Sequence, residues 1–482
     1  MYFSCSGRKL WYMKPVVARD FDQMMEELPN LEVPLVEAAA ISKAKLGKWD
    51  HIIVLDDDPT GTQTVYGIPV LTGWSLQEIS AEMDCGTPLF FILTNSRSLD
   101  PWAAEQVAFE IGQHIRQASQ EKGKKCFVIS RSDSTLRGHY PLELDTLELG
   151  LGLKSAVHFL IPAFFEGGRF TIDDVHYVRT GSQLVPVSQT PYARDPAFGF
   201  HYSNLKWWVE EKNNGYVKAA EVVSFSLKEL RTQRLEQLIA KVNGLESGQI
   251  CIVNAVNYQD LSRFCLALLA ADITPLCRSA ASFVAALAAQ APRPHLKAAD
   301  LLVPGAKGML MIVGSYVPTT SRQLTHLLPY FTGLPLELDV REWLNHPEEH
   351  LVEEYARNIS DALMGGEDVL VYTSRELIAS HDPEKSLNIG QRISAFLYAI
   401  VQRLQVSPSC VLAKGGITSS DIATIGLGVK RAMVLGQVRP GIPVWRLGVE
   451  SKYPGLSYII FPGNVGSENT LTEVWQELRW KG

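Results

Sequence analysis

Short apolar runs without alternation recur along the chain, each followed by a polar loop and then a stretch with helical spacing. HIIVL (51–55) leads into DDDPTGTQT. PLFFILT (88–94) leads into NSRSLD and PWAAEQVAFEIGQHIRQ. CFVIS (126–130) leads into RSDSTLRGHYP and a segment beginning LELDTLE. AVHFLIPA (156–163) leads into FFEGGRFTIDD, and QICIVNA (249–255) into VNYQD and LSRFCLALLAA. Continuous apolar runs predict strands buried on both faces, and helical stretches between them predict a parallel sheet. Asp100 and Pro101 read as the N-cap and first residue of one such helix.

The pattern pauses after residue 270. A small-residue helix, SAASFVAALAAQ, runs into APRPHLKAADLLVPGAKG, whose prolines and glycines predict a linker or crossover. It then restarts: MLMIV leads to GSYVPTTSRQLTHLL, DVLVYT to SRE, CVLA to KGGITSSDIATIGLG, and SYIIF to PGNVGSENTLTEVWQEL; IGQRISAFLYAIVQRL has good helical spacing. The expected class is α/β, with two domains, each a largely parallel sheet flanked by helices. The expected division is residues 1–48 as extension and leading helix, 49–285 as the first domain, 286–308 as linker and 309–482 as the second domain. A length of 482 residues supports two domains.

Composition narrows the classes. Lys plus Arg number 45 against 52 Asp plus Glu, a net charge of −7, which disfavours nonspecific nucleic-acid binding. No apolar run has the length of a membrane span. The opening MYFSCSGRKLWYMKP lacks the apolar core of a signal peptide, and Met13 is an alternative start. Seven scattered cysteines form no CxxC pair and no Cys/His metal spacing, so a reducing cytoplasm is expected.

Loops beyond the carboxyl ends of parallel strands collect functional groups. DDDPTG, NSRS and SDSTLRG hold that position in three units, so they can converge. Arg131, Asp133, Ser134 and Arg137, with Asn95 and Arg97, supply cations, a carboxylate, an amide and a hydroxyl. A small polyhydroxylated acid needs that mixture: guanidinium groups grip its carboxylate, and polar side chains pair with its hydroxyls. The same arginines can instead pair with Asp57, Asp58 and Asp133 as scaffold, and both arrangements can hold in one site. A carboxylate beside a substrate hydroxyl orients it and accepts its proton. Asp57 or Asp58 is expected there, with Asp56 facing away or capping a turn. His139 reads equally as a pocket-lining or a turn residue, and His176 as a strand residue.

In the second half KGGITSSD (414–421), GSYVPTTSRQ (314–323) and PGNVGSEN (462–469) are glycine- and hydroxyl-rich turns after strands. Such turns let a backbone approach a ligand closely, and N–H groups at a helix start favour phosphate. No GxxxxGK[ST] loop, GxGxxG fingerprint, HRD or DFG is present. The missing dinucleotide fingerprint argues against an oxidoreductase.

Taken together, DDDPTG, TNSRS, SDSTLRG, GSYVPTTSRQ, KGGITSSD and PGNVGSEN resemble the four-carbon acid sugar kinase family from about residue 50 onward. The resemblance implies an acid-sugar-binding domain, a nucleotide-binding domain, and an active site in the cleft between them. It implies ATP with Mg²⁺ as phosphoryl donor and a tetronate such as erythronate, threonate or 3-oxo-tetronate as acceptor. Asp57, Asp58, Arg97, Asp133 and Arg137 would then meet the acid sugar. Ser315, Gly415, Gly416, Ile417, Thr418, Gly463 and Asn464 would meet ATP. The pattern departs at Arg131, where Lys is expected, and at Ile417, where Glu is expected. A homodimer is compatible with this reading. The alternative is a sensor that keeps the acid-sugar pocket without transfer.

Overall fold

The computed structural model describes residues 16–46, 48–290, 293–302, 308–345, 349–375 and 383–479. Met13 lies outside them. The nine apolar runs read as strands are all strands, and the two expected parallel sheets are joined edge to edge. Fifteen strands of the described residues form one sheet. Its order is Val223–Phe225, Ile250–Val253, Val157–Ile161, Pro275–Ser279, Cys126–Arg131, His51–Asp56, Leu89–Leu93, Pro69–Leu71, Arg431–Arg439, Ile442–Leu447, Ser457–Phe461, Val411–Lys414, Leu310–Val313, Val369–Thr373 and Leu334–Leu338.

The first eight strands run parallel, as do the last five. Between them the hairpin Arg431–Arg439/Ile442–Leu447 makes antiparallel pairs with Pro69–Leu71 on one side and Ser457–Phe461 on the other. Along His51–Asp56 the side chains alternate between two cores. Ile52 and Val54 join a cluster that continues into the second domain, to Leu310 and Trp445; Ile53 and Leu55 pack on the opposite face. Burial on both faces is why these runs show no polar alternation. Arg431–Arg439 does alternate buried and half-buried residues, as expected of an antiparallel strand with one face covered.

Helices cover the sheet. Pro101–Lys122 starts where Asp100 accepts a hydrogen bond from the Ala103 N–H at 2.9 Å. Ala281–Ala288 ends the first domain's run of helices. Beyond it, Leu296 and Leu301 are buried in the second domain's core, and the Leu296 N–H donates to the Gln437 carbonyl at 2.8 Å. A small antiparallel sheet of Arg19–Asp20, Gln183–Pro186, Val175–Thr180 and Arg169–Ile172 is a further element. Reciprocal bonds of about 3 Å between Thr171 and Ala255 pin it to the main sheet.

The two parallel groups run in opposite directions across the seam, so a flat sheet would send their carboxyl ends to opposite edges. Six strand steps separate His51–Asp56 from Val411–Lys414. A twist of roughly 20–25° per step accumulates to about 120–150° and swings the two ends back toward each other. Register shifts at Val434/Gly436 and Gln437/Arg439 bend the seam further.

Candidate functional site

The two sets of loops meet around a cleft of about 640 Å³. The first domain contributes Asp58, Arg97, Arg131, Asp133, Ser134 and Arg137; the second contributes Ser315, Gly416, Gly463 and Asn464. The walls come close: a Cβ on Gly416 would lie 3.1 Å from Asp58 Oδ2.

Asp58 caps the short turn Pro59–Thr62 by accepting from the Thr60 N–H at 2.8 Å, and its other oxygen pairs with Arg97. Arg97 also lies 3.4 Å from Asp133 and 3.9 Å from Asp57. Arg137 Nε donates to Asp133 Oδ2 at 2.8 Å, and its guanidinium is 3.8 Å from Asp195. Burial works to raise the pKa of Asp58 and Asp133. Arg97 with the Thr60 bonds overcomes it at Asp58, and Arg137 with Arg97 at Asp133, so both carboxyls lie below their ordinary value. Asp58 therefore faces the cleft as an anion.

Asp56 and Asp57 behave oppositely. Burial pushes Asp56 up to about 7, opposed by Arg131, which stands 3.3 Å away. Burial pushes Asp57 up to about 6, opposed by Arg97 and Arg131. Asp57 lines a small internal void of about 10 Å³ with Thr94, Ser96 and Glu143, and neither of its carboxylate oxygens has a hydrogen-bond partner among the described residues. Of the two aspartates expected at a substrate, the structure brings Asp58 to the cleft and turns Asp57 inward. Extended backbone sends successive side chains to opposite faces, so neighbours in the triplet cannot share one.

The SDSTLRG loop is held from behind. His176 is buried in its strand, donates from Nε2 to the Ser134 carbonyl at 2.7 Å, and is pushed down to about 4 by burial. Arg278 donates to the Arg137 carbonyl at 2.8 Å. His139 contacts the Leu99 carbonyl.

On the second wall the turns interlock. Thr320 Oγ1 lies 3.2 Å from Ser315 Oγ and 3.0 Å from the Gly463 carbonyl. A Cβ on Gly463 would stand 2.7 Å from Ser315 Oγ. Lys414, fully buried, donates to the Pro462 carbonyl at 3.1 Å and sits 3.6 Å from the centre of the Phe461 ring, and burial lowers its pKa to about 7. Gly415 has φ +123°, which only glycine adopts freely.

Besides Asp57, four residues expected at ligands do not line the cleft. Asn95 takes a left-handed turn (φ 51°), and its carbonyl accepts from Ser98. Gly415 lies beneath, its N–H bonded to the Phe461 carbonyl. Ile417 is 52% exposed, and Thr418 is buried against Gly314. Helical residues point about 100° apart, so only Gly416 of this stretch faces the cleft. Sequence reasoning passed over Phe164, Arg169, Tyr192, Arg439 and Thr470, which do line it. The loop FFEGGRF did carry a signal for Arg169, because it follows the carboxyl end of Val157–Ile161.

Two family models match the chain: a sugar-binding N-terminal domain over residues 52–287 and a nucleotide-binding C-terminal domain over residues 310–471. The chain belongs to the four-carbon acid sugar kinase family. Its sugar-binding half thus supplies the arginine–aspartate wall and its nucleotide-binding half the glycine turns. Haemophilus influenzae protein HI1011, of the DUF1537 family, shares the fold at a TM-score of 0.61 and 18% identity, with 88% of this chain and 100% of that one covered. A Salmonella typhimurium LT2 protein provisionally described as a tRNA synthase aligns at a TM-score of 0.62 and 17% identity, covering 89% of this chain and 99% of that one. Identities this low speak to fold alone. No curated protein matches the chain significantly.

Proposed function

We propose that this protein is an ATP-dependent kinase that phosphorylates a hydroxyl of a four-carbon acid sugar. One observation carries the reading: a single cleft is walled by an anionic Asp58 with its guanidinium partners on the sugar-binding side and by glycine turns on the nucleotide-binding side. Phosphoryl transfer depends mostly on positioning and charge neutralisation. Asp58 orients the acceptor hydroxyl and takes its proton. Its low pKa makes it a modest base, which suits a loose transition state in which the proton leaves late. Arg97 and Arg137 balance charge along the first wall. Ser315, Gly416, Gly463 and Asn464 accommodate the triphosphate.

Mg²⁺ would arrive with the nucleotide and neutralise its phosphates. Among the described residues no three His, Cys, Asp or Glu side chains gather as a metal cage. The test is incubation of the protein with ATP, Mg²⁺ and a panel of tetronates. ADP formed only with an acid sugar supports the kinase. Acid-sugar binding without ADP replaces it with a sensor.

A further inference from the structure

The cleft contains five guanidinium groups, at Arg97, Arg131, Arg137, Arg169 and Arg439. Four are matched by carboxylates of the protein: Arg97 by Asp57, Asp58 and Asp133, Arg131 by Asp56 and Asp57, Arg137 by Asp133 and Asp195, and Arg439 by Glu477. Arg169 has no ion pair among the described residues. Its Nη1 donates to the Gly167 carbonyl, its Nη2 lies a long 3.5 Å from the Tyr192 hydroxyl, and its Nε is buried without a partner among the described residues. Nη2, held only by that long contact, is the guanidinium nitrogen left to donate to a carboxylate in the cleft.

The surroundings hold that guanidinium in place. Phe164 and Arg169 exchange backbone bonds of 3.1 and 2.8 Å, and the Phe165 N–H donates to Ser282 at 3.0 Å. The guanidinium sits 6.0 Å from the Phe164 ring and 5.9 Å from the Tyr192 ring; Arg137 reaches the same Tyr192 ring at 5.1 Å. Two cations therefore lie against one aromatic ring, and Arg169 is the one without an ion pair among the described residues.

We propose that Arg169 binds the carboxylate of the acid sugar, with Arg137 as the second cation, and that Arg97 acts as the positioning residue for Asp58. This deepens the proposed function and rests on it. The acid is oriented with its carboxylate at Arg169 and an acceptor hydroxyl at Asp58. Selectivity for acids over neutral polyols then belongs to Arg169.

The test uses the full chain as wild type, Arg169→Gln and Arg169→Lys. Binding of D-erythronate, L-threonate and the neutral erythritol is measured by calorimetry without nucleotide, and ADP formation is followed with each. Arg169→Gln is expected to weaken binding of the preferred acid about 10- to 100-fold, the range for hydrogen bonds to a charged group. Its KM for ATP stays within about threefold, which also reports correct folding, and its preference for acid over erythritol collapses. Arg169→Lys recovers part of the loss, since it keeps the charge without the fork. Unchanged acid affinity in Arg169→Gln, alongside wild-type ADP formation, overturns the subsite and leaves the kinase standing. Arg169-dependent acid binding without ADP formation by the wild type refutes the kinase and keeps the subsite. A wild type that neither binds nor phosphorylates either acid counts against both.

Discussion

Asn substitutions at Asp57 and Asp58 remove chemically identical groups from adjacent residues and should give opposite phenotypes. Asp58→Asn keeps the cap on Thr60, since Asn caps as well as Asp. Arg97 retains Asp133 at 3.4 Å, so the stability loss should be about 1–2 kcal/mol. Turnover should fall about 100-fold or more, which is ~2.7 kcal/mol of transition-state stabilisation. Asp57→Asn should leave turnover within about threefold and act on stability instead. The rise of Asp57 from 3.8 to about 6 means that holding it ionised in the fold costs ~3 kcal/mol at neutral pH. The folded state binds this proton more tightly than the unfolded state, so wild-type stability falls as pH rises from about 4 to about 6. Asp57→Asn should match or exceed the wild type at pH 7.5, lose that advantage near pH 4, and show a flatter profile. Asp56, raised to about 7, leaves a residual slope in both. Urea melts across this pH range and steady-state ADP release read the two effects. Equal loss of turnover in the two variants, wild-type turnover in Asp58→Asn, or superimposable stability profiles for wild type and Asp57→Asn would refute the assignment.

Gly61→Ala places a Cβ 1.9 Å from Asp56 Oδ2; it should destabilise the fold by about 1–3 kcal/mol in denaturant melts. Thr62→Val strands the buried Trp445 Nε1, which donates to Thr62 Oγ1 at 2.9 Å across the two domains; a cost of about 1–3 kcal/mol should appear as a lower urea midpoint. Gly463→Ala drives a methyl to within 2.7 Å of Ser315 Oγ; the KM for ATP should rise about tenfold, with the acid-sugar KM unchanged.

Apolar runs such as HIIVL and CVLA were legible as doubly buried strands because the burial itself writes the pattern into the chain. The loops after them were legible as a site because strand direction places them at one edge. The hairpin Arg431–Arg439/Ile442–Leu447 was not read as strand, though its first strand alternates, and nothing local says which edges it joins. That pairing, with Pro69–Leu71 more than 350 residues away, makes two sheets one. Side-chain direction was equally hidden. Asp57 and Asp58 differ by one residue of extended chain, and which of them meets solvent depends on the phase of the strand against both cores. The sequence offered the pairing of Arg97 and Arg137 with Asp57, Asp58 and Asp133 as one arrangement, and the structure has it; that Arg169 has no such partner among the described residues required distances. Composition and periodicity thus determined the domains' class and the chemical contents of their loops. Contacts between residues remote in sequence decided which loops face each other and which charges stay free, because these follow from accumulated twist and packing rather than from local preference.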